Sequence, residues 1–271
     1  MTYFKDKVAI VTGGASGIGE ALVKALAEKH AKVIIADVNL AAAETLATAL
    51  CAKGHSVKAL AMDVTNRKDI EQGVSKVVSK YGRLDIMINN AGIVIISEME
   101  DTLDEDWDRL IDINLKGVAY GTQIACVQMR KQGFGQILNT ASASGLGPTP
   151  LLAAYSSVKH AVVGLTSATR VEAASYGIKV NALCPGVVNT PVIKGSVSRG
   201  LVRSKVEEGT PLMLAPEKVA RVALKGMEKN KGVIPVGLDS YLPYWANRIA
   251  PEAYSYLLQK SMGIIRKRLK A

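Results

Sequence analysis

The segment VAIVTGGASGIGEALVKALAEKH, residues 8–30, decides the fold of this chain. A short apolar run is followed by a glycine-rich turn, and apolar residues at helical spacing come next. Glycines let the backbone approach a pyrophosphate closely, and the start of a helix offers free N–H groups to phosphates. Glycine is common in turns, so the prediction depends on this turn lying between a strand and a helix. We expect it to hold a dinucleotide through Gly13, Ser16, Gly17, Ile18 and Gly19.

The alternation of strand and helix continues along the chain. Apolar β-rich runs occupy residues 8–13, 32–38, 57–64, 84–92, 135–142, 178–186 and 233–236. Such alternation predicts right-handed βαβ units and a parallel sheet, which is an α/β fold. No linker, repeat or low-complexity tract divides the chain. We therefore expect one catalytic domain over residues 1–271, with a core at about 5–236 and a tail at 237–271.

Composition is consistent with this class. Hydrophobic residues make up 48% of the 271 residues and aromatic residues only 5%, so the core must be mainly aliphatic. No apolar run reaches the roughly 18 residues of a membrane-spanning helix, and the N-terminus lacks the pattern of a signal peptide. Three scattered cysteines favour a reducing, cytoplasmic setting. Three scattered histidines without ligand spacing predict no metal site.

The formal net charge of the chain is +10. A basic solvated surface would account for this charge, and so would an anionic substrate or contact with an anionic membrane surface. Nothing in the sequence resembles a nucleic-acid-binding motif, so we expect no nucleic-acid partner.

Two acids follow predicted strands on the cofactor side. Asp37 ends the second strand, where a carboxylate can accept hydrogen bonds from the adenosine ribose hydroxyls. A carboxylate there would repel a 2′-phosphate, and no Lys or Arg lies within residues 12–19, which predicts NAD rather than NADP. Asp63 ends the third strand and is a candidate contact on the adenine side. An ordinary acid in a turn is the alternative for both residues.

The sequence YSSVK, residues 155–159, places a phenol and an ammonium four positions apart. On a helix these side chains share one face, so Lys159 can stabilise the phenolate form of Tyr155 through space. A free tyrosine has a pKa near ~10. A base that works near neutrality should titrate roughly three units lower, which takes about 4 kcal/mol. A Tyr–Lys pair at this spacing usually lies on a protein surface without a catalytic role. Whether this pair is catalytic therefore depends on the motifs in the rest of the sequence.

Motifs elsewhere in the sequence give this pair a context. In chain order they are Thr12-Gly13-xxx-Gly17-x-Gly19, Asn89-Asn90-Ala91-Gly92, Asn114, Ser142, Tyr155-xxx-Lys159 and Pro185-Gly186-xxx-Thr190. In this combination and spacing the chain resembles the short-chain dehydrogenase/reductase family, from about residue 5 to residue 236. The resemblance implies a Rossmann-type doubly wound parallel sheet of seven strands, with the ligand cleft at the carboxyl ends of the strands. In this chain an extra C-terminal helical tail would follow the sheet.

The resemblance also implies roles for individual residues. Tyr155 would be the acid and base of the reaction, and Lys159 would lower its pKa and hold the nicotinamide ribose. Ser142 would hold the substrate oxygen by a hydrogen bond. Asn114 would hold a water that relays the proton, although a simple buried hydrogen-bonding role is the alternative. The remaining cofactor contacts are predicted at Val64, Asn90, Ala91, Gly92, Pro185, Gly186, Val188 and Thr190, beside Tyr155 and Lys159.

The substrate is predicted from apolar residues near the expected cleft. Such a lining suits a lipophilic secondary alcohol or ketone of the steroid, retinoid or fatty alcohol type. A 3-oxoacyl carrier-protein-type ketoreductase is the alternative, although such relatives usually prefer NADPH. A non-catalytic NAD-binding sensor is a third reading. The predicted substrate contacts are Ser142, Ser144, Leu152, Tyr155, Val187 and Val192.

Segment 192–213 is in the position of the family's mobile substrate lid. Its bases could meet an anionic substrate, or they could form a solvated helix face. These bases are Lys194, Arg199, Arg203 and Lys205.

The C-terminal tail departs from the family pattern, because it is longer, aromatic and then basic. From Ala253 onward it has no acid, and its five bases are Lys260, Arg266, Lys267, Arg268 and Lys270. An amphipathic helix there could lie on an anionic membrane, cap the pocket, or dock on the body of the protein. Besides a small-molecule substrate, we expect a second copy in a homodimer or homotetramer, and peripheral membrane contact through the tail.

Overall fold

The computed structural model describes residues 3–194, 196–200 and 213–270. Its strands are β1 Val8–Thr12, β2 Lys32–Asp37, β3 Val57–Ala61, β4 Ile86–Asn89, β5 Ile95–Ile96, β6 Gly135–Thr140, β7 Ile178–Pro185, β8 Val197–Ser198 and β9 Val233–Val236. Seven of them form one parallel sheet in the spatial order β3-β2-β1-β4-β6-β7-β9. The two short strands β5 and β8 pair in parallel with each other. The predicted seven-stranded parallel sheet is thereby confirmed.

Helices connect the strands of the sheet. They are α1 Gly17–Glu28, α2 Leu40–Cys51, α3 Arg67–Tyr81, α4 Asp104–Ile111, α5 Gly117–Gln132, α6 Ala153–Ala173, α7 Pro191–Lys194, α8 Pro216–Glu228, α9 Leu238–Ile249 and α10 Pro251–Lys270. A π-helical turn, Asp112–Lys116, joins α4 to α5. Short 3₁₀ turns lie at Met99–Asp101, Ala143–Gly145 and Ala174–Tyr176.

Alternate strand residues face the two sides of the sheet, because side chains along a strand alternate in direction. Val11 and Ile35 pack on one side in a cluster that includes residues of α1, α2 and α8. Ile10 and Ile34 pack on the other side with residues of α3 and α5. Because both faces of the sheet are buried, the sequences of its strands are continuous apolar runs and do not alternate between apolar and polar residues. This arrangement is the doubly wound fold that the sequence predicts.

The order of the strands places the ligand crevice. β1 lies between β2 on one side and β4 on the other, so the direction of winding reverses at β1. In open α/β sheets a ligand binds at such a switch point, beyond the carboxyl ends of the strands. The glycine turn follows β1 at this point, and Asn90 follows β4 beside it.

The predicted strand runs are longer than several of the observed strands. The predicted run 84–92 contains β4, Ile86–Asn89, and the run 57–64 contains β3, Val57–Ala61. The extra residues after these strands, 62–64 and 90–92, leave the sheet at the carboxyl ends and line the crevice, whereas residues 84 and 85 precede β4. The small β5–β8 sheet was not predicted, because a two-residue strand has no period of its own.

The C-terminal tail is helical, as predicted, and consists of two helices. α9 ends before Ala250, and Pro251 begins α10, a position at which a helix tolerates proline. Among the described residues, no helix is both long enough and apolar enough to cross a membrane.

Candidate active site

The glycine turn between β1 and α1 is shaped by its own residues and fixed by the neighbouring strand. Gly13 and Gly17 have φ angles of +59° and +55°, a conformation that is unfavourable for other residues. A Cβ atom on Gly19 would collide with the carbonyl oxygen of Gly13. The side-chain amide of Asn90 donates to the carbonyl oxygens of Thr12 and Gly13, at 3.1 and 3.3 Å. The turn is therefore held open above the N-terminus of α1.

A cleft of about 480 Å³ opens beyond the carboxyl ends of the strands. This volume lies within the range of roughly 300–1,000 Å³ that is usual for small-molecule sites. Gly19 is not on its wall as far as the described residues form it, because Gly19 lies against the back of Gly13. The other predicted cofactor residues all line the cleft: Gly13, Ser16, Gly17, Ile18, Asp37, Asp63, Val64, Asn90, Ala91, Gly92, Tyr155, Lys159, Pro185, Gly186, Val188 and Thr190.

Both predicted acids on the cofactor side lie at this cleft, and both hold turns. The Oδ2 atom of Asp37 accepts a hydrogen bond from the Ala15 N–H at 3.0 Å, and its Oδ1 accepts from the Asn39 N–H at 2.9 Å. Each carboxylate oxygen has a second lone pair, which remains for ribose hydroxyls. Asp63 accepts at Oδ1 from the N–H and the hydroxyl of Thr65, at 2.9 and 2.8 Å. Asp63 therefore caps a turn as well as lining the cleft.

The predicted catalytic side chains meet where β6 ends and α6 begins. Tyr155 is half-buried and lines the cleft together with Ser142, whose side chain lies close enough to lower the Tyr155 pKa. Lys159 is only 3% exposed, and its Nζ atom donates to the carbonyl oxygen of Thr140 at 2.9 Å. The same Nζ lies 5.6 Å from the centroid of the Tyr155 ring. The helical spacing of YSSVK therefore brings phenol, ammonium and serine hydroxyl together.

Burial controls the titration of this pair. It raises the pKa of the Tyr155 phenol to about 12, and the nearby Ser142 side chain offsets only part of the rise. Burial also lowers the pKa of the Lys159 ammonium to about 8. The lowering of the Tyr155 pKa by Lys159 and a bound nicotinamide stays a prediction, and burial opposes it. Loss of hydration disfavours the phenolate, so a lowering of its pKa has to overcome this cost.

Asn114 lies in the π-helical turn between α4 and α5, and such turns are frequent at functional sites. Its side-chain amide accepts from the N–H of Ile93 and donates to the carbonyl oxygen of Ile93, both at 2.9 Å. It thereby fixes the loop after β4, next to Gly92 and Lys159. This geometry agrees with the buried hydrogen-bonding role that the sequence left open. The proton-relay role stays a prediction.

The structure places half of the predicted substrate residues at the cleft. Ser142, Tyr155 and Val192 line it, whereas Ser144, Leu152 and Val187 are absent from the wall that the described residues form. All six substrate contacts were predicted because they lie close in sequence to the expected catalytic and cofactor residues. A short turn after a strand, however, directs neighbouring side chains to different sides.

Ser144 and Leu152 have structural contacts instead. Ser144 is buried behind the cleft, where its carbonyl oxygen accepts a 2.6 Å hydrogen bond from the hydroxyl of Ser156. Its N–H donates to the Ser142 Oγ at 3.2 Å, so Ser144 orients the neighbouring serine. Leu152 precedes α6 and forms an isolated parallel bridge with Ser97. Both residues therefore support the walls of the site from behind.

Sequence reasoning missed several residues of the wall. Most of them lie next to predicted site residues at the ends of strands, so the rule that ligands bind at carboxyl ends could have found them. Cys184 was also missed; it is fully buried at the end of β7, close enough to Tyr155 and Lys159 to influence their pKa values. The unpredicted lining residues are Val38, Met62, Thr65, Ile113, Thr140 and Ala141.

The loop after β7 is fastened to the tail. The Oδ2 atom of Asp239, in the first turn of α9, accepts a hydrogen bond from the Val187 N–H at 2.7 Å. A Cβ atom on Gly186 would collide with the same carboxylate. Ser240 is fully buried, and its hydroxyl donates to the carbonyl oxygen of Cys184 at 2.6 Å. Val187 therefore contacts the tail through its backbone N–H, and its side chain does not line the cleft as the described residues form it. Through this contact α9 supports the Pro185–Gly186 part of the cleft.

Only part of the predicted lid can be placed. Arg199 forms ion pairs with Asp106 and Glu105, at 3.0 and 3.1 Å. This base is therefore directed at α4 and not at the cleft. Arg203 and Lys205 lie outside the described residues, as does the side chain of Lys194.

The residues of the cleft fit a dinucleotide. Gly13 and Gly17 keep Cβ atoms away from the start of α1, whose free N–H groups suit a pyrophosphate. The Asp37 carboxylate at the end of β2 suits ribose hydroxyls. Among the described residues, no group of three or more His, Cys, Asp or Glu side chains could hold a metal ion.

Comparison with known proteins identifies the family. A family model for short chain dehydrogenases matches residues 7–199, a span that contains every motif from the glycine turn to Thr190. The chain therefore belongs to the short-chain dehydrogenase/reductase family. An uncharacterised oxidoreductase of Thermotoga maritima is 36% identical over 230 residues, which cover 85% of this chain and 88% of that protein.

Solved structures show the same fold. A 3-ketoacyl-(acyl-carrier-protein) reductase from Brucella melitensis, complexed with NADH, is 32% identical, with a TM-score of 0.76 over 88% of this chain and 98% of that one. A short-chain dehydrogenase/reductase from Burkholderia phymatum has a TM-score of 0.83 at 24% identity, over 95% of this chain and 97% of that one. This chain is thus an oxidoreductase of the family by sequence, and its sheet is the family's sheet.

Proposed function

We propose that this protein is an NAD-dependent oxidoreductase that moves a hydride between nicotinamide and a secondary alcohol or ketone, with a lipophilic substrate. The observation that carries the proposal is the meeting of the Tyr155 phenol and the Ser142 hydroxyl at the cleft, with the Lys159 ammonium behind them. Bound nicotinamide dinucleotide would supply the hydride acceptor or donor. The chain itself then has to hold the substrate oxygen and exchange its proton.

Ser142 and Tyr155 are arranged to hold that oxygen. The Ser142 Oγ accepts from the Ser144 N–H at 3.2 Å, which leaves the hydroxyl proton of Ser142 to donate outward. A ketone oxygen at the cleft would accept from both hydroxyls. Donors fixed in advance in this way stabilise the charge that develops on the oxygen during reduction.

Tyr155 would exchange the proton with the substrate oxygen. With a pKa of about 12 in the protein without a dinucleotide, the phenol is neutral near pH 7 and can donate a proton to a ketone. Alcohol oxidation needs the phenolate, and a shift to near neutrality takes roughly 7 kcal/mol at 1.36 kcal/mol per pKa unit. Lys159 would supply part of this stabilisation, together with the positive charge that NAD⁺ brings. Asn114 would hold a water that carries the proton onward.

NAD is favoured over NADP by the end of β2. The Asp37 carboxylate lies at the cleft and is fixed there by two backbone N–H groups. A fixed carboxylate would repel a 2′-phosphate and accept from ribose hydroxyls. The similarity to a reductase complexed with NADH supports the same choice.

A lipophilic substrate is supported by the side chains around Tyr155. Ile93, Val94, Ile113 and Val192 line the same cleft. Apolar walls with a few convergent hydroxyl groups are typical of sites for lipophilic small molecules. A carrier-bound 3-oxoacyl chain is the second candidate, because the chain is 32% identical to a 3-ketoacyl-(acyl-carrier-protein) reductase.

A substrate panel with both dinucleotides tests the proposal. The full chain is incubated with sterols, retinol and long-chain secondary alcohols plus NAD⁺ or NADP⁺, and absorbance at 340 nm is followed. Separate wells hold 3-oxoacyl thioesters with NADH or NADPH. We expect turnover of lipophilic alcohols with at least a tenfold higher kcat/KM for NAD⁺. Turnover confined to the thioesters would replace the proposal with the ketoreductase, and tight NAD binding without any turnover would indicate a sensor.

A further inference from the structure

One face of α9 exposes an uninterrupted apolar stripe. Its five side chains are spaced so that they share one side of the helix, within an arc of about 100° at the usual turn per residue. Surface helices normally direct such a stripe to the core. The stripe consists of Leu238, Tyr241, Leu242, Trp245 and Ile249, whose exposed fractions are 88%, 44%, 66%, 54% and 77%.

The opposite side of α9 is bonded to the body of the protein. Ser240 is fully buried and donates to the carbonyl oxygen of Cys184. The Asn247 side chain donates to the carbonyl oxygen of Leu146 at 3.3 Å. Pro243 packs against Gly147. The orientation of α9 is therefore set by contacts, and its apolar stripe faces outward in the folded chain.

The following helix, α10, exposes apolar and basic side chains together. Tyr256, Leu257 and Ile264 are 56%, 66% and 66% exposed, and Lys260 shares their side of the helix by spacing. Arg266 pairs with Glu98 at 2.9 Å, which ties α10 to the loop after β5. The outward sides of α9 and α10 thus expose apolar and aromatic residues with bases among them.

Charge and composition favour a lipid surface over other occupants, although Arg266 is already paired with Glu98. Arg248 borders the α9 stripe, Lys260 is exposed on α10, and from Ala253 to the C-terminus the sequence has five bases and no acid. Tyr and Trp are favoured at the boundary of a membrane, where one end of the ring is apolar and the other is wet. Bases beside such a stripe attract anionic headgroups.

We propose that the α9 stripe, together with the outward side of α10, docks this protein on an anionic lipid surface. The helix does not cross the membrane; it lies in the headgroup region with Trp245 and Leu242 inserted. Because α9 is bonded to Cys184 and Leu146, close to Ser142, the membrane would lie beside the part of the fold that carries the catalytic hydroxyls. The proposal does not depend on the reaction, since docking needs neither dinucleotide nor substrate.

Vesicle sedimentation of the full chain tests the proposal. The lipids are phosphatidylcholine alone and a mixture of phosphatidylcholine and phosphatidylglycerol. The test variant carries Leu242→Ser, Trp245→Ser and Ile249→Ser. The matched control carries Val127→Ser and Val171→Ser, which remove exposed apolar side chains of 55% and 78% exposure from α5 and α6. Thermal unfolding midpoints and light scattering show whether each variant is folded and which oligomer it forms.

We expect the wild type to bind the anionic vesicles, with weaker binding at high salt, and the triple variant to bind at least tenfold more weakly. The control should bind like the wild type. Equal binding by wild type and triple variant overturns the proposal, as does a wild type that binds neither lipid. A triple variant that loses an oligomer but keeps vesicle binding also overturns it, because the stripe would then cover a second copy.

Fluorescence gives a second readout that does not depend on the triple variant. The chain has two tryptophans, so Trp107→Phe leaves Trp245 as the reporter. Insertion of Trp245 among lipids should shift its emission to the blue when anionic vesicles are added. An unchanged emission maximum at saturating lipid contradicts the proposed orientation of α9.

Discussion

The carboxylate of Asp239 accepts a hydrogen bond from the backbone N–H of Val187 at 2.7 Å. Asp239 belongs to the first turn of α9, and Val187 belongs to the loop that follows β7. Pro185, at the end of β7, and Gly186 and Val188, in this loop, line the cleft. The contact therefore joins the tail to the wall of the cofactor site. The tail, which the sequence presents as an addition to the family fold, takes part in forming that site.

Replacing Asp239 should weaken dinucleotide binding. Asp239→Ala leaves the Val187 N–H without its acceptor and frees the loop, at a cost near 1 kcal/mol for one hydrogen bond. We expect the Kd for NADH to rise about fivefold, as measured by fluorescence titration. Glu252→Ala, which removes an exposed acid of the same tail, is the control. A similar loss in both variants would show that net charge, and not the loop contact, is responsible.

Replacing Asp37 should change the preference between dinucleotides. Asp37→Ser removes the charge that would repel a 2′-phosphate but keeps one hydroxyl oxygen that can accept from a backbone N–H group. We expect the ratio of kcat/KM for NADP⁺ to that for NAD⁺ to rise at least tenfold. Asp63→Ser serves as the comparison, because Asp63 also lines the cleft but is expected on the adenine side, and it should change the ratio much less. An unchanged ratio in Asp37→Ser would place the selectivity elsewhere.

A methyl group on Gly19 should be far more harmful than one on Gly164. The Cβ atom of Gly19→Ala would collide with the carbonyl oxygen of Gly13 and displace the turn. We expect loss of NADH binding by at least tenfold in calorimetric titration. Nothing lies within 4 Å of a Cβ atom on Gly164, an exposed position inside α6. Gly164→Ala should therefore keep binding and gain roughly 0.5–1 kcal/mol of stability. Comparable NADH binding by both variants would contradict the proposal that the glycine turn between β1 and α1 holds the dinucleotide.

Tyr155 should titrate late in the protein without a dinucleotide. Its pKa is raised to about 12 by burial, so the phenol stays protonated through the range in which free tyrosine ionises. The difference in 295 nm absorbance between wild type and Tyr155→Phe should appear only near pH 12. Saturating NAD⁺ should move this midpoint down, because an added positive charge favours the phenolate. A midpoint near pH 10 or below without NAD⁺ would contradict the burial argument.

Local patterns made much of the fold predictable. The glycine turn between a strand and a helix requires a βα unit, and the continuous apolar runs require a sheet buried on both faces. The Tyr155–Lys159 spacing likewise fixes one helix face, so these side chains meet as expected. Such features depend on residues close together in the chain.

Other features depend on contacts between distant segments. The Asp239–Val187 hydrogen bond joins residues 52 positions apart, and no local pattern predicts it. The rise in the Tyr155 pKa is a sum over surrounding atoms, whereas the sequence shows only the nearby lysine. Ser144 and Leu152 are neighbours of site residues, yet the turns in which they lie direct them to the back of the site. The sequence also does not predict that the apolar stripe of α9 faces outward, because the same spacing is typical of a buried helix face.

The central claim is that Tyr155 exchanges the proton of a substrate alcohol or ketone, and the rate of NADH formation in Tyr155→Phe tests it most directly. With the best alcohol of the panel, kcat should fall by roughly 10²–10⁴, the usual contribution of a positioned acid and base. The Kd for NAD⁺ should stay within about threefold of the wild type, because the ring remains. Tyr176→Phe, at an exposed tyrosine, should keep full activity. A Tyr155→Phe variant that retains more than about a tenth of the wild-type kcat would contradict the account.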